Sequence, residues 1–202
     1  MKIFELEKIN KDIFTINDIC KALEITYASA KVSASRYVNT GYLLRLKRDN
    51  YIIKAKFKTL STEKLFEICN FLQVPSYISF MTALSYYNLT TQVQQGVTEL
   101  ISLKRTKEFT IENNEIIFRK IRKDLFFGFR KIDDFFIATP EKAIFDIVYL
   151  TSMYRYACDF DSINFKNINI SLIDREIKKT NEKTVLFWRD LCKTYKILKS
   201  FK

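Results

Sequence analysis

The stretch "DFD", residues 159 to 161, is the only D-x-D pair in the chain. Two carboxylates at that spacing can hold Mg²⁺ for nucleotidyl transfer. That chemistry also needs a Gly-Ser turn upstream, yet Gly96 is followed by Val97 and Gly128 by Phe129. Asp159 and Asp161 therefore read as solvated loop carboxylates. No histidine occurs among the 202 residues, which removes the usual general base near neutral pH and every Ser-His or Cys-His nucleophile arrangement. Cys20, Cys69, Cys158 and Cys192 lie far apart with no C-x-x-C pair, so a zinc site lacks its ligands and the four read as buried, reduced thiols. The expectation is a protein that is not an enzyme and takes no metal or cofactor.

The chemistry that remains is charge. Lys and Arg number 34 against 23 Asp and Glu, a formal surplus of +11. Lys-rich composition can follow from A/T-rich coding, so distribution decides. Residues 31 to 58 hold eight basic side chains, Lys31, Arg36, Arg45, Lys47, Arg48, Lys54, Lys56 and Lys58, against the single Asp49; seven of the eleven net charges fall there. That is the footprint of a polyanionic partner.

Elements that would position those charges can be read from pattern. Thr15 is a good N-cap with Asp18 at the third helical position, opening "INDICKAL". Thr26 caps "YASAKVSASRYVNT", in which Ala30, Ala34, Tyr37 and Val38 share a core-facing stripe and leave Ser29, Val32, Ser35 and Arg36 on the opposite face, with Lys31 on its flank. Gly41 ends this helix. "LLRLK" then alternates as a strand, "RDN" turns and "YIIKAK" returns. Three short helices and a basic hairpin give the order of a winged helix-turn-helix. Ser29 and Ser35 are short enough for close backbone approach, Arg36 can reach a guanine edge, and Arg45, Lys47 and Arg48 on the wing can grip phosphate. A helical cap with solvated lysines is the alternative.

Near "KFKTLS" the composition changes, and Ser61 can cap a helix to about Leu72. The run from Ile68 to Thr98 carries no charged side chain, but Ser76, Ser79, Thr82, Ser85 and Asn88 interrupt it. Its wholly apolar blocks are far shorter than the roughly 18 to 20 residues that cross a bilayer, so it reads as a buried amphipathic element and not a membrane span. "VTELISLK", "EIIFRKIR", "LFFGFR" and "DFFIA" read as strands. In "TPEKAIFDIVYL", Thr139 is an N-cap, Pro140 the first helical residue and Glu141 well placed near the helix start. The last helix, "EKTVLFWRDLCKTYKILKSFK", puts Val185, Trp188, Leu191, Cys192, Tyr195 and Leu198 on one stripe, with Lys193, Lys196 and Lys199 outside it. The beginning "MKIFELEKINKD" has no secretory pattern, which makes the cytoplasm the default location.

"PSYISFMTALSYYNL", "ISLKRTKEF", "IRKDLFFGF" and "IATPEKAIFDIVYL", in this order, resemble the C-terminal domain of the AbiEi family: antitoxins and transcriptional regulators of bacterial type IV toxin-antitoxin systems linked to phage defence. The resemblance covers residues 60 to 150; 151 to 202 are only generically similar. Asn50 stands where the wing turn usually has Gly, and Asn88 where "YYGL" is usual, substitutions that Asn tolerates at positive φ. The resemblance implies an α+β fold: a winged helix-turn-helix over 1–58, then a mixed α/β antitoxin domain over 60–202, strand-rich in 97–139 and helical in 140–202. It implies binding to repeats in double-stranded promoter DNA, repression of the chain's own operon, and neutralisation of a nucleotidyltransferase-like toxin without a stable complex. Candidate positions of the antitoxin domain are Lys104, Arg105 and Lys107 of "KRTK", with Thr139, Glu141 and Lys142 of "TPEK". An exposed basic strand end is the first reading of the first set and a nucleic-acid or antitoxin contact the alternative, and a helix start without any ligand explains the second. The rival to the antitoxin reading is a plain winged-helix repressor with an effector or oligomerisation domain and no toxin.

Overall fold

The computed structural model describes residues 2–92 and 94–197. The chain has mixed α and β structure and divides into two compact units, Met1–Leu65 and Phe66–Lys202.

In the first unit a 3₁₀ helix, Lys2–Lys8, precedes β1 (Phe14–Thr15), α1 (Ile16–Leu23), α2 (Tyr27–Asn39), β2 (Leu43–Lys47), β3 (Asn50–Ile53) and α3 (Lys54–Lys58). The strands form a small antiparallel sheet in the order β1-β3-β2. Thr15 and Asp18 make the reciprocal capping box: Thr15 Oγ1 accepts from the Asp18 amide at 3.4 Å, and the Thr15 amide donates to Asp18 Oδ2 at 2.8 Å. α2 is closed by Thr40 as its C-cap and by Gly41 after it, whose φ of +74° costs a residue without Cβ little; the Tyr42 amide then reaches the Tyr37 carbonyl at 2.9 Å. Ile16, Ile19, Leu23, Ala30, Ala34, Leu43, Tyr51 and Ile53 belong to one apolar core, with Tyr37 and Val38 packed half-buried against it.

Two expectations for this unit are corrected. The return strand stops at Ile53, and Lys54, Lys56 and Lys58 lie on α3, because buried Ile53 and Phe57 are four apart, a helical and not an alternating spacing. In the hairpin turn the positive φ, 58°, falls on Asp49; Asn50 begins β3 and donates its side-chain Nδ2 to the Arg48 carbonyl at 2.7 Å.

The second unit is built on a six-stranded mixed sheet. After α4 (Thr62–Leu72), in which the division between units falls, come β4 (Ser76–Ile78), α5 (Phe80–Tyr86), β5 (Val97–Ser102), β6 (Lys107–Ile111), β7 (Asn114–Lys120), β8 (Phe129–Ile132) and β9 (Phe135–Ala138). Their order is β6-β7-β5-β4-β9-β8, parallel at β7/β5 and β4/β9 and antiparallel elsewhere. α6 (Pro140–Ser152), α7 (Ile170–Ile177) and α8 (Glu182–Thr194) follow. α6 is buried along nearly its whole length, in contact with α5, α7 and α8.

Here too the pattern misleads in places. "SYI" is a strand of three fully buried residues between β5 and β9; with both faces covered it shows no alternation. "KEFTI" forms an unforeseen edge strand. "LFFGFR" is not continuous: Leu125 ends a 3₁₀ turn, Gly128 bends the chain at φ +70°, and β8 starts only at Phe129. Asn88 takes φ 56°, a conformation that Asn tolerates. Trp188, Leu191 and Cys192 of α8 are buried while Lys193 and Lys196 are exposed; Leu198 and Lys199 lie outside the described residues. No helix among the described residues is long and apolar enough to cross a membrane.

Candidate nucleic-acid interface

On α2 the core-facing alanines fix the rotation of the helix. With Ala30 and Ala34 fully buried, Ser29, Lys31, Val32, Ser35 and Arg36 are exposed, Val32 to 60%. The Ser29 hydroxyl is partly occupied, since Thr26 Oγ1 donates to it at 3.0 Å within the helix cap. Lys31 Nζ lies 4.8 Å from the centroid of the exposed Tyr27 ring. On the hairpin, Arg45 is exposed on β2, Lys47 is half-buried at the strand end, and Arg48 occupies the turn with its side chain 89% exposed, in loose contact with Asp49 at 3.7 Å. The eight basic residues of 31–58 thus spread over α2, the hairpin and α3.

In the second unit the candidate positions separate into two places. Lys104 and Arg105 are exposed on the β5–β6 connection and Lys107 is half-buried at the start of β6, around a cleft of about 360 Å³ shared with Leu72, Gln73 and Phe109. Thr139, Glu141 and Lys142 lie at the start of α6. Thr139 Oγ1 accepts from the Lys142 amide at 3.3 Å, and Glu141 accepts from the Asn169 amide at 3.3 Å.

Lys142 is inside the protein, its side chain 1% exposed, and offers no surface contact. Its ammonium donates to the Leu125 carbonyl at 2.7 Å and sits 2.7 Å from Asp146 Oδ1, one helical turn on. Asp146 Oδ2 accepts from Ser79 Oγ at 2.8 Å and Tyr77 Oη at 3.0 Å. The Phe127 and Phe145 rings each stand 4.3 Å from the ammonium. Gly128 makes room: a Cβ there would lie 3.0 Å from Lys142 Cβ. Burial pushes the Asp146 pKa up and that of Lys142 down, each shift opposed by the partner's charge. Sequence reasoning did not single out Asp146, although a Lys and an Asp four apart within "AIF" and "IVYL" are the signal of a pair on one helix face.

A second charged cluster was also missed. Glu99, on the central strand β5, accepts from Tyr156 Oη at 2.9 Å and lies 3.6 Å from the Arg119 guanidinium, which also faces the Tyr156 ring at 4.9 Å. Burial raises the Glu99 pKa against these donors. The carboxylates of both clusters face structural partners, while Arg119 Nε is buried without a hydrogen-bond partner.

Asp159 caps the 3₁₀ turn Phe160–Ser162, accepting from the Asp161 amide at 3.1 Å, and both carboxylates are exposed. No group of three or more His, Cys, Asp and Glu side chains that could hold a metal occurs among the described residues. The four cysteines are free; Cys69 and Cys192 are buried, whereas Cys20 and Cys158 are only half-buried. No protein-family model matches the chain, and no curated protein matches it either.

Proposed function

We propose that this chain is a DNA-binding antitoxin: residues 1–58 act as a winged helix-turn-helix that represses the chain's own operon through promoter repeats, and residues 60–202 oppose a nucleotidyltransferase-like toxin, in the manner of the AbiEi family it resembles. One observation carries the DNA half of this reading. The face of α2 turned away from the core bears short polar residues, an apolar methyl-bearing one and an unburied Arg36, and the adjoining hairpin carries Arg48 at its tip. That is the layout of a helix reading base edges beside a phosphate-gripping wing. The antitoxin half rests on the four ordered sequence blocks.

The rival, a repressor whose second unit takes a small effector, has a feature in its favour: a mostly apolar cleft bordered by Phe127, Phe145, Leu172 and Ile173. At about 190 Å³ it falls below the roughly 300 to 1,000 Å³ of ordinary small-molecule pockets; what favours the antitoxin reading is the four ordered sequence blocks.

The test is binding to the chain's own promoter duplex across a salt series. Arg36→Ala is expected to weaken specific binding by about 1 to 3 kcal/mol and relax sequence preference. Lys47→Ala with Arg48→Ala is expected to weaken specific and non-specific duplexes alike and flatten the log K against log salt slope by roughly 1.8. An unchanged slope in a folded double variant means the wing does not touch the backbone. Protection of cells carrying the cognate toxin, measured with the same variants, separates the antitoxin from the plain repressor.

A further inference from the structure

The cleft beside β6 differs from the other charged regions of the second unit. Lys104 and Arg105 are exposed, and neither side chain makes a hydrogen bond or ion pair among the described residues. Strand alternation keeps acid away: Lys107 and Phe109 point to the face of their β7 partners Phe118 and Ile116, while Glu108 points to the opposite face. Lys107 Nζ lies 3.9 Å from the centroid of the Phe109 ring.

The connection carrying the two free cations is pinned. Buried Gln73 donates its side-chain amide to the Arg105 carbonyl at 2.8 Å. Ser102 Oγ accepts from the Lys104 amide at 3.2 Å and donates to the Pro75 carbonyl at 2.9 Å, and Thr106 Oγ1 accepts from the Lys120 amide at 3.1 Å. A loop fixed at three successive points loses little entropy on binding, so its charges are presented ready for an anion. Beside them stand the Phe109 ring and a carboxylate-free cleft of about 360 Å³, lined by Leu72, Gln73, Lys104, Arg105, Lys107 and Phe109.

We propose that this cleft binds a nucleotide unit, with phosphate held by Lys104 and Arg105 and the base stacked on Phe109 once Lys107 swings from the ring to the phosphate. The ring decides against a purely anionic ligand. Cations alone would serve any polyanion, but a basic groove with an aromatic platform is the chemistry of single-stranded nucleic acid and nucleotides. The shared ligand is the phosphate-base unit, and its source is either a free mononucleotide or one residue of a single strand. This site is independent of whether residues 1–58 bind duplex DNA.

The test uses the full chain, labelled with ¹⁵N and titrated separately with inorganic phosphate, adenosine, AMP and a six-nucleotide single-stranded oligoadenylate. Amides of Gln73 and residues 104–109 are expected to shift with AMP or the oligonucleotide. Lys104→Ala with Arg105→Ala, whose side chains hold no hydrogen bond or ion pair among the described residues, should weaken that binding at least tenfold and lower the salt slope for the oligonucleotide by roughly 1.4. Phe109→Leu keeps an apolar side chain under Lys107 but removes the ring, and should weaken it by roughly fivefold or more, the share of one stacked base. Arg36→Ala should change none of this. Equal affinity for AMP and oligonucleotide assigns a free nucleotide; a tenfold preference for the oligonucleotide assigns a strand. Absence of shifts at 104–109 with every probe overturns the proposal. Binding of phosphate as tight as AMP, together with an unaffected Phe109→Leu variant, overturns it equally, leaving charge without base recognition.

Discussion

The two units treat their charges in opposite ways. Among the described residues of Met1–Leu65 the core is hydrophobic and the charged side chains, including the basic set of α2 and the hairpin, stay at or near the surface. Among the described residues of Phe66–Lys202 three charged side chains, Glu99, Lys142 and Asp146, are buried in the core, facing one another, Arg119, or hydroxyl and carbonyl partners. A lysine is therefore no guide to function by type alone. Lys31 faces solvent where an anion can reach it, while Lys142, of identical chemistry, ties α6 to the Leu125 turn and, through Asp146, to β4. The buried pair is a weak source of net stability but a strong source of fixed geometry: removing one partner strands the other without its counter-charge.

The contrast is broken most severely at that pair. Lys142→Met should destabilise the protein by about 3 to 5 kcal/mol in chemical denaturation, because Asp146 stays buried with only two hydroxyl donors. Adding Asp146→Leu should recover most of the loss. If the single variant costs less than about 1 kcal/mol, the pair does not hold α6 in place. Tyr156→Phe removes one donor from buried Glu99 and is expected to cost about 1 to 3 kcal/mol by the same measurement.

Helix starts set the next scale, common to both units. Thr15→Ala and Thr139→Ala each delete an N-cap acceptor and should each cost about 1 kcal/mol. Under the proposed antitoxin function, Thr139→Ala should leave any protection against a cognate toxin intact if melting changes only by that amount; lost protection with unchanged melting would turn "TPEK" into a functional surface.

The smallest effect is a pH dependence in the first unit. Partial burial disfavours the Asp18 carboxylate, but hydrogen bonds from Lys11 and from the Thr15 amide and hydroxyl outweigh it and hold the pKa at about 2, against 3.8 for a free Asp. The folded pKa is depressed, so this stabilisation is full above about pH 4 and disappears as pH falls through about 2. Hydrogen exchange of α1 amides should quicken across that window in the wild type and much less in Asp18→Asn.

What could be read from the sequence was local. Thr15 with Asp18, Thr26, Gly41 and Thr139 with Pro140 define helix ends through neighbours within four residues, and all took their expected positions. The rotation of α2 followed from the stripe of Ala30, Ala34, Tyr37 and Val38. What was lost depends on distant partners. "SYI" is a strand because β5 and β9 cover it on both sides, and Lys142 is interior because Tyr77, Ser79 and Leu125 close over the pair it forms with Asp146. Glu99 in "VTELIS" resembles the outward residue of an alternating strand until Tyr156 and Arg119 are placed against it. The cleft at Lys104 and Arg105 was legible only as charge; its aromatic wall lies on an edge strand that the pattern did not reveal.

The arrangement of that sheet has one more consequence, for self-association. β8 is an outermost strand, bonded on one side to β9, with Phe129, Arg130, Lys131 and Ile132 along its length. A second copy adding to it antiparallel about a two-fold axis would set either Arg130 across from Arg130 or Lys131 across from Lys131. Like charges facing across a strand pair are destabilising, and charged edges are how β-proteins avoid sticking to themselves. Two of the cations of this basic chain thus make its exposed backbone a poor template for aggregation.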